Sequence, residues 1–365
     1  MKILHLLPSL ESGGMETFVL SLAKQQRQDG LEPSIAIFSG QNKSIDTYIR
    51  DGISIVQYNR NVGTWRLGMK LKAQLINDKF DLLHTHNETS TIFGALSTFG
   101  ISSVKFICTI HNGDRGSYSL KQRIENYLAF RRCDAIVSVT EQIVQTMSAR
   151  EFVGPGRIRV IKNGIKPVDP TEVSEKMALK KSLSIKDTDL VVGCVGRLVP
   201  VKNHILFLSA FKSALPSHPN MVLILVGDGP LRDEIKNTVH SLGLEPFVRL
   251  LGDRKDVPAL LNMMDMFALP SLNEGHSISV LEAFSAGKPV IASNRGGNPT
   301  LVTHGLSGLL VDPEDINAMA EAIKYLATNP EIRSSMGAEG RMVQKKLYGM
   351  EICSRNYLEL YRSLQ

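Results

Sequence analysis

Two carboxylates bracket the predicted start of a helix in the segment PSLNEGHSISVLEAFSAG, which runs from residue 270 to residue 287. Glu274 lies in the loop before this helix, the helix begins near Ser277, and Glu282 points from its second turn. A helix N-terminus presents unpaired backbone N–H groups that favour an anion, and a carboxylate accepts hydrogen bonds from paired sugar hydroxyls. The segment therefore suits a ligand that carries both a diphosphate and a sugar. The alternative is that both acids only stabilise the helix dipole.

Two cations lie on a second candidate loop, in the segment VGCVGRLVPVKNH. Gly196 ends a buried strand, Arg197 follows it, and Lys202 comes just before a helix. An arginine can bind two phosphate oxygens with its planar guanidinium and a lysine binds as a point charge, so the pair can converge on one diphosphate. Two solvated loop cations are the alternative for this motif alone. Together with the two carboxylates, the pair indicates a diphosphate site.

The N-terminal half has candidates of its own at the ends of predicted strands. Gly13 and Gly14 separate the first strand from a helix and let backbone N–H groups approach an anion, although their spacing is not that of a dinucleotide-binding loop and a flexible hairpin is the alternative. His111 closes the strand VKFICTI, where a doubly wound sheet presents side chains to a cleft; a hydrogen-bonded strand-end histidine is the alternative. His84 and His86 share one strand face, and because no third ligand is evident, we expect them to line the cleft rather than hold a metal.

Composition limits the class of protein. The chain has 365 residues, 43% hydrophobic and 21% charged, which is long enough for two globular domains and too apolar for disorder. The four cysteines lie far apart and suit a reducing compartment, and no apolar run is long enough to span a membrane, so we expect a cytoplasmic protein. The net charge of +6 suits phosphate-bearing ligands or an anionic membrane, and no nucleic-acid motif accompanies it, so no nucleic-acid partner is expected.

The elements that must position these residues follow one pattern in both halves. Short β-branched runs alternate with amphipathic helical patterns, which is typical of parallel sheets covered by helices. The turn and linker IKNGIKPVD separates the halves. We therefore expect an α/β protein with two doubly wound Rossmann-like domains that face a central cleft. The first spans residues 1–164, the second spans residues 165–347, and a helix over about 348–365 packs back on the first.

The segment from Gly196 to Pro313 resembles the donor-binding half of glycosyltransferase family 4, a group of retaining enzymes with the GT-B fold, and the likeness extends over nearly the whole chain. The resemblance implies that Arg197 and Lys202 hold the pyrophosphate of the donor. Glu274 would contact the transferred sugar and Glu282 the nucleotide ribose. With His111 beside the sugar and acceptor, the implied catalytic residues are His111, Arg197, Lys202 and Glu274. The other implied donor-binding residues are Gly13, Gly14, Gly227, Asp228, Arg254, Val257, Gly275, His276, Ser277 and Ile278.

The resemblance also implies the reaction. A hexose-type sugar would pass from a nucleotide-diphosphate sugar, with UDP favoured, to a saccharide or lipid-linked acceptor in bacterial surface polysaccharide synthesis. No cofactor is expected, and no metal, because the cations already face the diphosphate and the DTD at residues 187 to 189 precedes a strand and is interpreted as linker. Many family members carry Phe in place of His276. Two alternatives stay open: a nucleotide-sugar epimerase, which needs no acceptor, and a catalytically silent subunit of the same fold.

The segment from residue 115 to 132 predicts contact with a membrane. It carries Lys121, Arg123, Arg131 and Arg132 beside Tyr118, Tyr127 and Phe130. Leu120, Ile124, Tyr127 and Leu128 are expected on the core face of its helix, which leaves the cations outside. The sequence thus predicts weak, salt-sensitive binding to anionic membranes at the inner face of the cell membrane, and a merely solvated face is the alternative.

Overall fold

The computed structural model describes residues 1–10, 13–38, 52–58, 63–111, 119–151 and 153–365 of the chain. It divides into two compact units, one formed by Met1–Gly164 with Met350–Gln365 and the other by Ile165–Gly349. The helices of the described residues are α1 Gly14–Gln28, α2 Thr64–Asn77, α3 Glu88–Ser97, α4 Leu120–Arg132, α5 Glu141–Glu151, α6 Val173–Ser182, α7 His204–Ala214, α8 Arg232–Ser241, α9 Val257–Met263, α10 Ile278–Ser285, α11 Asn298–Leu301, α12 Ile316–Thr328, α13 Pro330–Leu347 and α14 Met350–Arg362.

The first unit is built on a parallel sheet in the order β3-β2-β1-β4-β5-β6-β7. Its strands are β1 Lys2–Leu7, β2 Glu32–Ile37, β3 Ser54–Gln57, β4 Leu82–His86, β5 Lys105–Ile110, β6 Ala135–Ser138 and β7 Ile158–Val160. The chain starts in the middle of the sheet and winds outward first to one edge and then to the other. That order places β1 directly beside β4, with His5 and His84 as paired residues in the register.

The alternation of side chains along β1 and β4 sorts them onto two faces of the sheet. Leu4 and Leu6 of β1, with Leu83 of β4, belong to a hydrophobic core that includes residues of α2, α3 and α4. His5 and His84 have the opposite parity and therefore face the other side, where α1 packs against α14. The C-terminal helix thus belongs to the N-terminal unit, and it covers a sheet face that carries histidines.

The second unit is a parallel sheet in the order β10-β9-β8-β11-β12-β13. Its strands are β8 Leu190–Val195, β9 Met221–Val226, β10 Val248–Gly252, β11 Met266–Leu269, β12 Val290–Ser293 and β13 Gly308–Val311. Every residue of β9 is buried, and Phe207 and Phe211 of α7 pack into the core with Ile323 of α12. The predicted fold class, two doubly wound Rossmann-like α/β domains, is confirmed by the two sheets.

One predicted core face is wrong. In α4, the residues Leu120, Ile124 and Leu128 are 73%, 51% and 58% exposed, and we call these three the α4 stripe. Tyr127 is half-buried, and the sheet side of the helix is formed instead by Asn126, Ala129 and Phe130. The spacing correctly places the stripe on one side of the helix, but that side faces outward. Residues 115–118 of the predicted membrane segment lie outside the described residues.

No helix in the described ranges is both long enough and apolar enough to cross a membrane.

Candidate active site

The centre of the candidate site is an ion pair between Lys202 and Glu274, which are 72 residues apart in the sequence. Lys202 lies in a 3-10 turn, Pro200–Lys202, after β8, and Glu274 lies in the loop after β11. The Lys202 Nζ donates to Glu274 Oε1 at 2.5 Å, and the two side chains are only 19% and 12% exposed. Because β8 and β11 are adjacent parallel strands, their carboxyl ends bring this cation and this carboxylate to one edge of the sheet.

Backbone and amide contacts hold the two loops together. A Cβ on Gly196 would come within 3.6 Å of Lys202 Cε, so the lysine stem lies close over the end of β8. The Leu272 N–H donates to Val201 O at 2.8 Å. Asn203, in the left-handed conformation at φ 57°, donates from Nδ2 to Pro270 O at 3.3 Å and to Pro313 O at 2.7 Å. These contacts therefore join the loop that carries Lys202 to the loop that carries Glu274, and the ion pair lies on both.

The second predicted cation, Arg197, follows β8 but is not part of the ion pair. Its side chain is exposed, whereas Lys202 is largely buried. The two cations therefore differ in screening, because an exposed charge in water acts more weakly over the same distance than one held in a partly buried site.

The helix that follows Glu274 begins at Ile278, with Ser277 as its N-cap. The Ser277 Oγ accepts from the Val280 N–H at 3.4 Å, which uses one of the N–H groups that the first turn leaves without an intrahelical partner. Gly275, His276, Ser277 and Ile278 are all buried. The segment between the two acids is thus a buried helix N-terminus, a feature whose backbone N–H groups favour anions in general.

His276 packs against Tyr348 with 5.2 Å between the ring centroids. Tyr348 in turn donates from its hydroxyl to Thr300 O at 3.0 Å, and burial raises its pKa. The imidazole of His276 is therefore positioned by a neighbouring ring.

Glu282 lies one turn into α10 and is half-buried. Burial raises the pKa of its carboxyl to about 7. Hydrogen bonds from ligand hydroxyls would stabilise the ionised form of this carboxyl, because they would offset its desolvation.

The loop after β9 approaches the end of β8 so closely that only glycine fits. A Cβ on Gly227, at φ 129°, would lie 2.1 Å from Gly196 O. The Asp228 carboxylate accepts from the Gly229 N–H at 2.8 Å and lies 3.4 Å from Arg232. This contact places the predicted Gly227 and Asp228 loop directly beside Gly196.

Arg254 forms a bidentate ion pair with Asp256, with Nε and Nη2 at 2.8 and 2.6 Å from the two carboxylate oxygens. This pairing raises the pKa of Arg254 and lowers that of Asp256. Val257 is the first residue of α9. The guanidinium of Arg254 is therefore held in place through its Nε and Nη2 atoms.

In the N-terminal unit, Gly13 is the N-cap of α1 and Gly14 its first residue, one position earlier than the predicted start at Met15. Gly13 has no side chain with which to cap this helix. His111 follows β5, is 5% exposed, and packs its ring edge against Phe18 at 5.4 Å. The Nε2 of His111 lies 3.1 Å from Nδ1 of His86.

The sequence interpretation missed a third histidine beside His84 and His86. His5 of β1 lies with them, so that one ring nitrogen of each falls within 4.8 Å of the others, and all three are fully buried. A third candidate ligand is therefore present, and His84 and His86 are fully buried rather than lining an open cleft as predicted. Doubly wound strand order, which places β1 next to β4, was the available signal for His5. Each ring nitrogen of the three already has a hydrogen-bond partner.

Two family models match the chain, one in each half. Residues 12–168 match the family described as Glycosyltransferase Family 4, and residues 175–343 match the family described as Glycosyl transferases group 1.

Individual relatives and solved structures agree with both matches. The chain is 31% identical over 264 residues to UDP-Gal:alpha-D-GlcNAc-diphosphoundecaprenol alpha-1,3-galactosyltransferase of Escherichia coli, which covers 70% of this chain and 68% of that protein. It is 26% identical to D-inositol 3-phosphate glycosyltransferase of Corynebacterium glutamicum, covering 90% and 87% of the two chains. The structure of HepE from Anabaena in complex with UDP and glucose is 25% identical, covers 100% of both chains and superposes with a TM-score of 0.88.

Proposed function

Because this chain belongs to glycosyltransferase family 4, we propose that it is a retaining enzyme that transfers a hexose-type sugar from a UDP-sugar to a saccharide or lipid-linked acceptor. The observation that carries this proposal is the partly buried Lys202–Glu274 ion pair at the entrance of α10. It combines a cation for a diphosphate with a carboxylate for a sugar. The HepE complex with UDP and glucose supports UDP as the nucleotide.

The donor is assigned to the C-terminal unit, residues 165–347. Lys202 and the N–H groups at the start of α10 meet the diphosphate, and Arg197 adds a second cation from the end of β8. Glu274 accepts hydroxyls of the transferred sugar and Glu282 accepts those of the ribose. The acceptor is assigned to the N-terminal domain, residues 1–164 with the helix over about 348–365.

Bond breaking leaves negative charge on the departing diphosphate. In the proposed front-face transfer, that phosphate helps to take the proton of the acceptor hydroxyl, and the configuration at the anomeric carbon is kept. Preorganised donors aimed at the developing charge then lower the barrier, because they need no reorganisation when the bond breaks. Lys202 is held in place before the reaction by Glu274, which suits this role.

The same residues support a reaction without a metal. Two cations and a helix N-terminus supply positive charge toward a diphosphate, which is the electrostatic role that a divalent ion would otherwise fill. We therefore assign no metal and no cofactor to the transfer step.

A lipid-linked acceptor would require contact with a membrane surface, and α4 supports one. The α4 stripe is exposed, and Lys121, Arg131 and Arg132 are exposed on the same helix. An apolar stripe flanked by cations is the pattern of a helix that lies in an anionic interface. This exposed face strengthens the membrane proposal, whereas a buried stripe would have left only solvated cations.

An exposed aromatic residue extends that surface beyond α4. Phe99, just after α3, is 70% exposed. Lys72 of α2 donates from Nζ to Phe99 O at 2.6 Å, and the Arg132 guanidinium lies 6.0 Å from the Phe99 ring centre. An exposed aromatic ring beside a cation suits the boundary between headgroups and acyl chains. We accordingly propose that the protein works at the inner face of the cell membrane in surface or extracellular polysaccharide synthesis.

The test is transfer from UDP-hexoses to membrane-extracted lipid-linked saccharides, followed by proton NMR of the new anomeric centre. The proposal expects an acceptor-dependent product with the configuration of the donor. An altered sugar formed from donor alone would identify an epimerase instead. Donor binding without turnover on any acceptor would identify a silent subunit, and an inverted product would refute retention.

A further inference from the structure

A continuous chain of buried hydrogen bonds leads from the C-terminal helix to His111. Gln26 of α1 donates from Nε2 to the Tyr361 hydroxyl at 3.2 Å, and its Oε1 lies 2.8 Å from His5 Nε2. His5 Nδ1 lies 3.1 Å from His86 Nε2, and His86 Nδ1 lies 3.1 Å from His111 Nε2. All five side chains are at most 5% exposed. Water therefore has little access to substitute for a missing partner in this chain.

The two interior histidines of this hydrogen-bond chain, His5 and His86, are neutral. Burial lowers the pKa of His5 to about 4 and holds the pKa of His86 well below its ordinary value, with nearby histidines acting in the same direction on His86. A neutral imidazole has one N–H donor and one nitrogen acceptor. A ring that donates a hydrogen bond to one neighbour must therefore accept a hydrogen bond from the other.

The amide of Gln26 fixes that direction. An amide oxygen only accepts, so His5 must carry its proton on Nε2 and accept at Nδ1. His86 must then donate from Nε2 to His5 and accept at Nδ1. His111 in turn must donate from Nε2 to His86. In neutral His111 the lone pair is consequently on Nδ1.

A side branch has the same polarity. Because the Tyr361 hydroxyl accepts from Gln26, it donates its one hydrogen to His84 Nδ1 at 2.8 Å. His84, whose pKa burial also holds well below the ordinary value, then donates from Nε2 to Thr109 Oγ1 at 2.7 Å. Thr109 passes its hydrogen to the Tyr357 hydroxyl at 3.1 Å. Every hydrogen in both branches is thus placed from the Tyr361–Gln26 contact.

We propose that Gln26 and Tyr361 act as positioning residues that hold the proton of His111 on Nε2 and thereby fix the His111 ring for its contact with the sugar substrate. His5 and His86 transmit this orientation. If His111 alone carried its proton on Nδ1, the lone pair of its Nε2 would face the lone pair of His86 Nδ1. Two buried acceptors would then face each other with no hydrogen between them, which is unfavourable. The proposal rests on the proposed function only for the substrate that His111 meets.

The direct test is a long-range proton–nitrogen correlation spectrum of the full chain labelled with ¹⁵N-histidine. The chain has nine histidines, and single His→Gln variants assign the signals. We expect His5, His84, His86 and His111 to carry a proton on Nε2, and His5, His84 and His86 to be neutral. Protons on Nδ1 of His5, His86 and His111 together would mean that the Gln26 amide has the opposite orientation, and would overturn the proposal. Stoichiometric Zn²⁺ uptake that removes the Nε2–H signals would also overturn it.

Two matched pairs of variants test the positioning role. Gln26→Met removes the amide at similar length, and its control Gln25→Met loses instead the neighbouring contact to Asp29. Tyr361→Phe removes the hydroxyl bound by Gln26, and its control Tyr357→Phe removes only the end of the side branch. We expect mixed His111 tautomers and about a tenfold lower kcat, with donor KM little changed, in Gln26→Met and Tyr361→Phe. The controls should keep the wild-type tautomer and kcat.

Separate outcomes identify which step fails. A wild-type His111 tautomer in folded Gln26→Met and Tyr361→Phe would overturn the positioning role, and so would altered tautomers with unchanged kcat. If these variants do not fold, the wild-type spectrum still decides the direction of the hydrogen bonds from Gln26 to His111. If His111→Ala keeps wild-type turnover while the spectrum shows the expected tautomers, the predicted contact of His111 with the sugar fails and the hydrogen-bond network stands.

Discussion

Removal of the Lys202 ammonium should slow sugar transfer more than it weakens donor binding. In Lys202→Ala the Glu274 carboxylate, only 12% exposed, loses the cation at 2.5 Å. The donor diphosphate then loses an attraction and meets a negative charge without its counter-ion. Part of the lost interaction exists with the ground-state diphosphate and raises KM, and the rest develops only as the glycosidic bond breaks and lowers kcat.

The magnitude follows from the partly buried position of the pair. Two unit charges about 5 Å apart interact by about 3 kcal/mol at an effective dielectric constant of about 20. Loss of one preorganised donor to a developing oxyanion typically lowers the rate by ~100- to 1,000-fold, or ~2.7–4 kcal/mol. We therefore expect this range for kcat of Lys202→Ala. Arg197→Ala should also lower kcat more than it raises KM, but by about tenfold, because its exposed charge is screened.

The assay is steady-state transfer at saturating acceptor, with kcat and donor KM measured separately and folding checked by thermal unfolding. Lys212→Ala is the matched control, since it removes an exposed lysine from the same unit. Lys202→Arg should restore little, because a planar fork does not replace a point charge beside Glu274. Glu282→Ala should mainly raise donor KM. Wild-type turnover of folded Lys202→Ala at saturating donor would refute the leaving-group role.

Three further predictions concern pH, metal and membrane. The Glu282 carboxyl has a pKa of about 7 in the folded protein and an ordinary value of 4.5, so the folded state binds more protons between these pH values. The free energy of unfolding should therefore fall by roughly 3 kcal/mol as pH rises from 4.5 to 7. Glu282→Gln should remove this pH dependence of the free energy of unfolding, measured by denaturant titration. The same pH dependence in wild type and in Glu282→Gln would contradict the prediction. Activity should survive EDTA, whereas loss with rescue by Mg²⁺ or Mn²⁺ would overturn the metal-free reaction. Serine at all three positions of the α4 stripe should abolish low-salt sedimentation with anionic vesicles, whereas exposed Val173→Ser in α6 should not; equal sedimentation of wild type with neutral vesicles would contradict membrane binding.

The fold and the proximity of the loops after β8 and β11 were largely accessible from the sequence. Buried strands such as MVLILV read as parallel-sheet strands because every position is apolar, and the structure buries all six. Parallel strands end at one edge of their sheet, so loops after β8 and β11 could be expected to meet. The sequence did not predict that Lys202 and Glu274 contact each other directly, because that depends on local contacts such as those of Asn203.

Two features needed the three-dimensional arrangement. Helical periodicity places Leu120, Ile124 and Leu128 on one side of α4, but it cannot tell which side meets the sheet when both carry apolar residues. Here Phe130 fills the core instead. The histidine chain was missed for a different reason: a single His5 in the apolar strand KILHLL carries no local signal, and its hydrogen-bond partners come from β4 and α1.

The central claim is that a nucleotide sugar binds the C-terminal unit through Lys202 and Glu282. The most direct measurement is a thermal-shift panel of UDP-, GDP- and ADP-sugars on wild type and on the double variant Lys202→Ala/Glu282→Ala, each compared with its own ligand-free Tm. A donor at a hundredfold excess over Kd stabilises by about 2.7 kcal/mol, or roughly 5–10 °C for a domain of this size. We predict such a shift for a UDP-sugar in wild type and in Lys212→Ala, and its loss in the double variant. A panel in which no nucleotide sugar shifts the wild type, or in which the double variant shifts equally, would contradict the account.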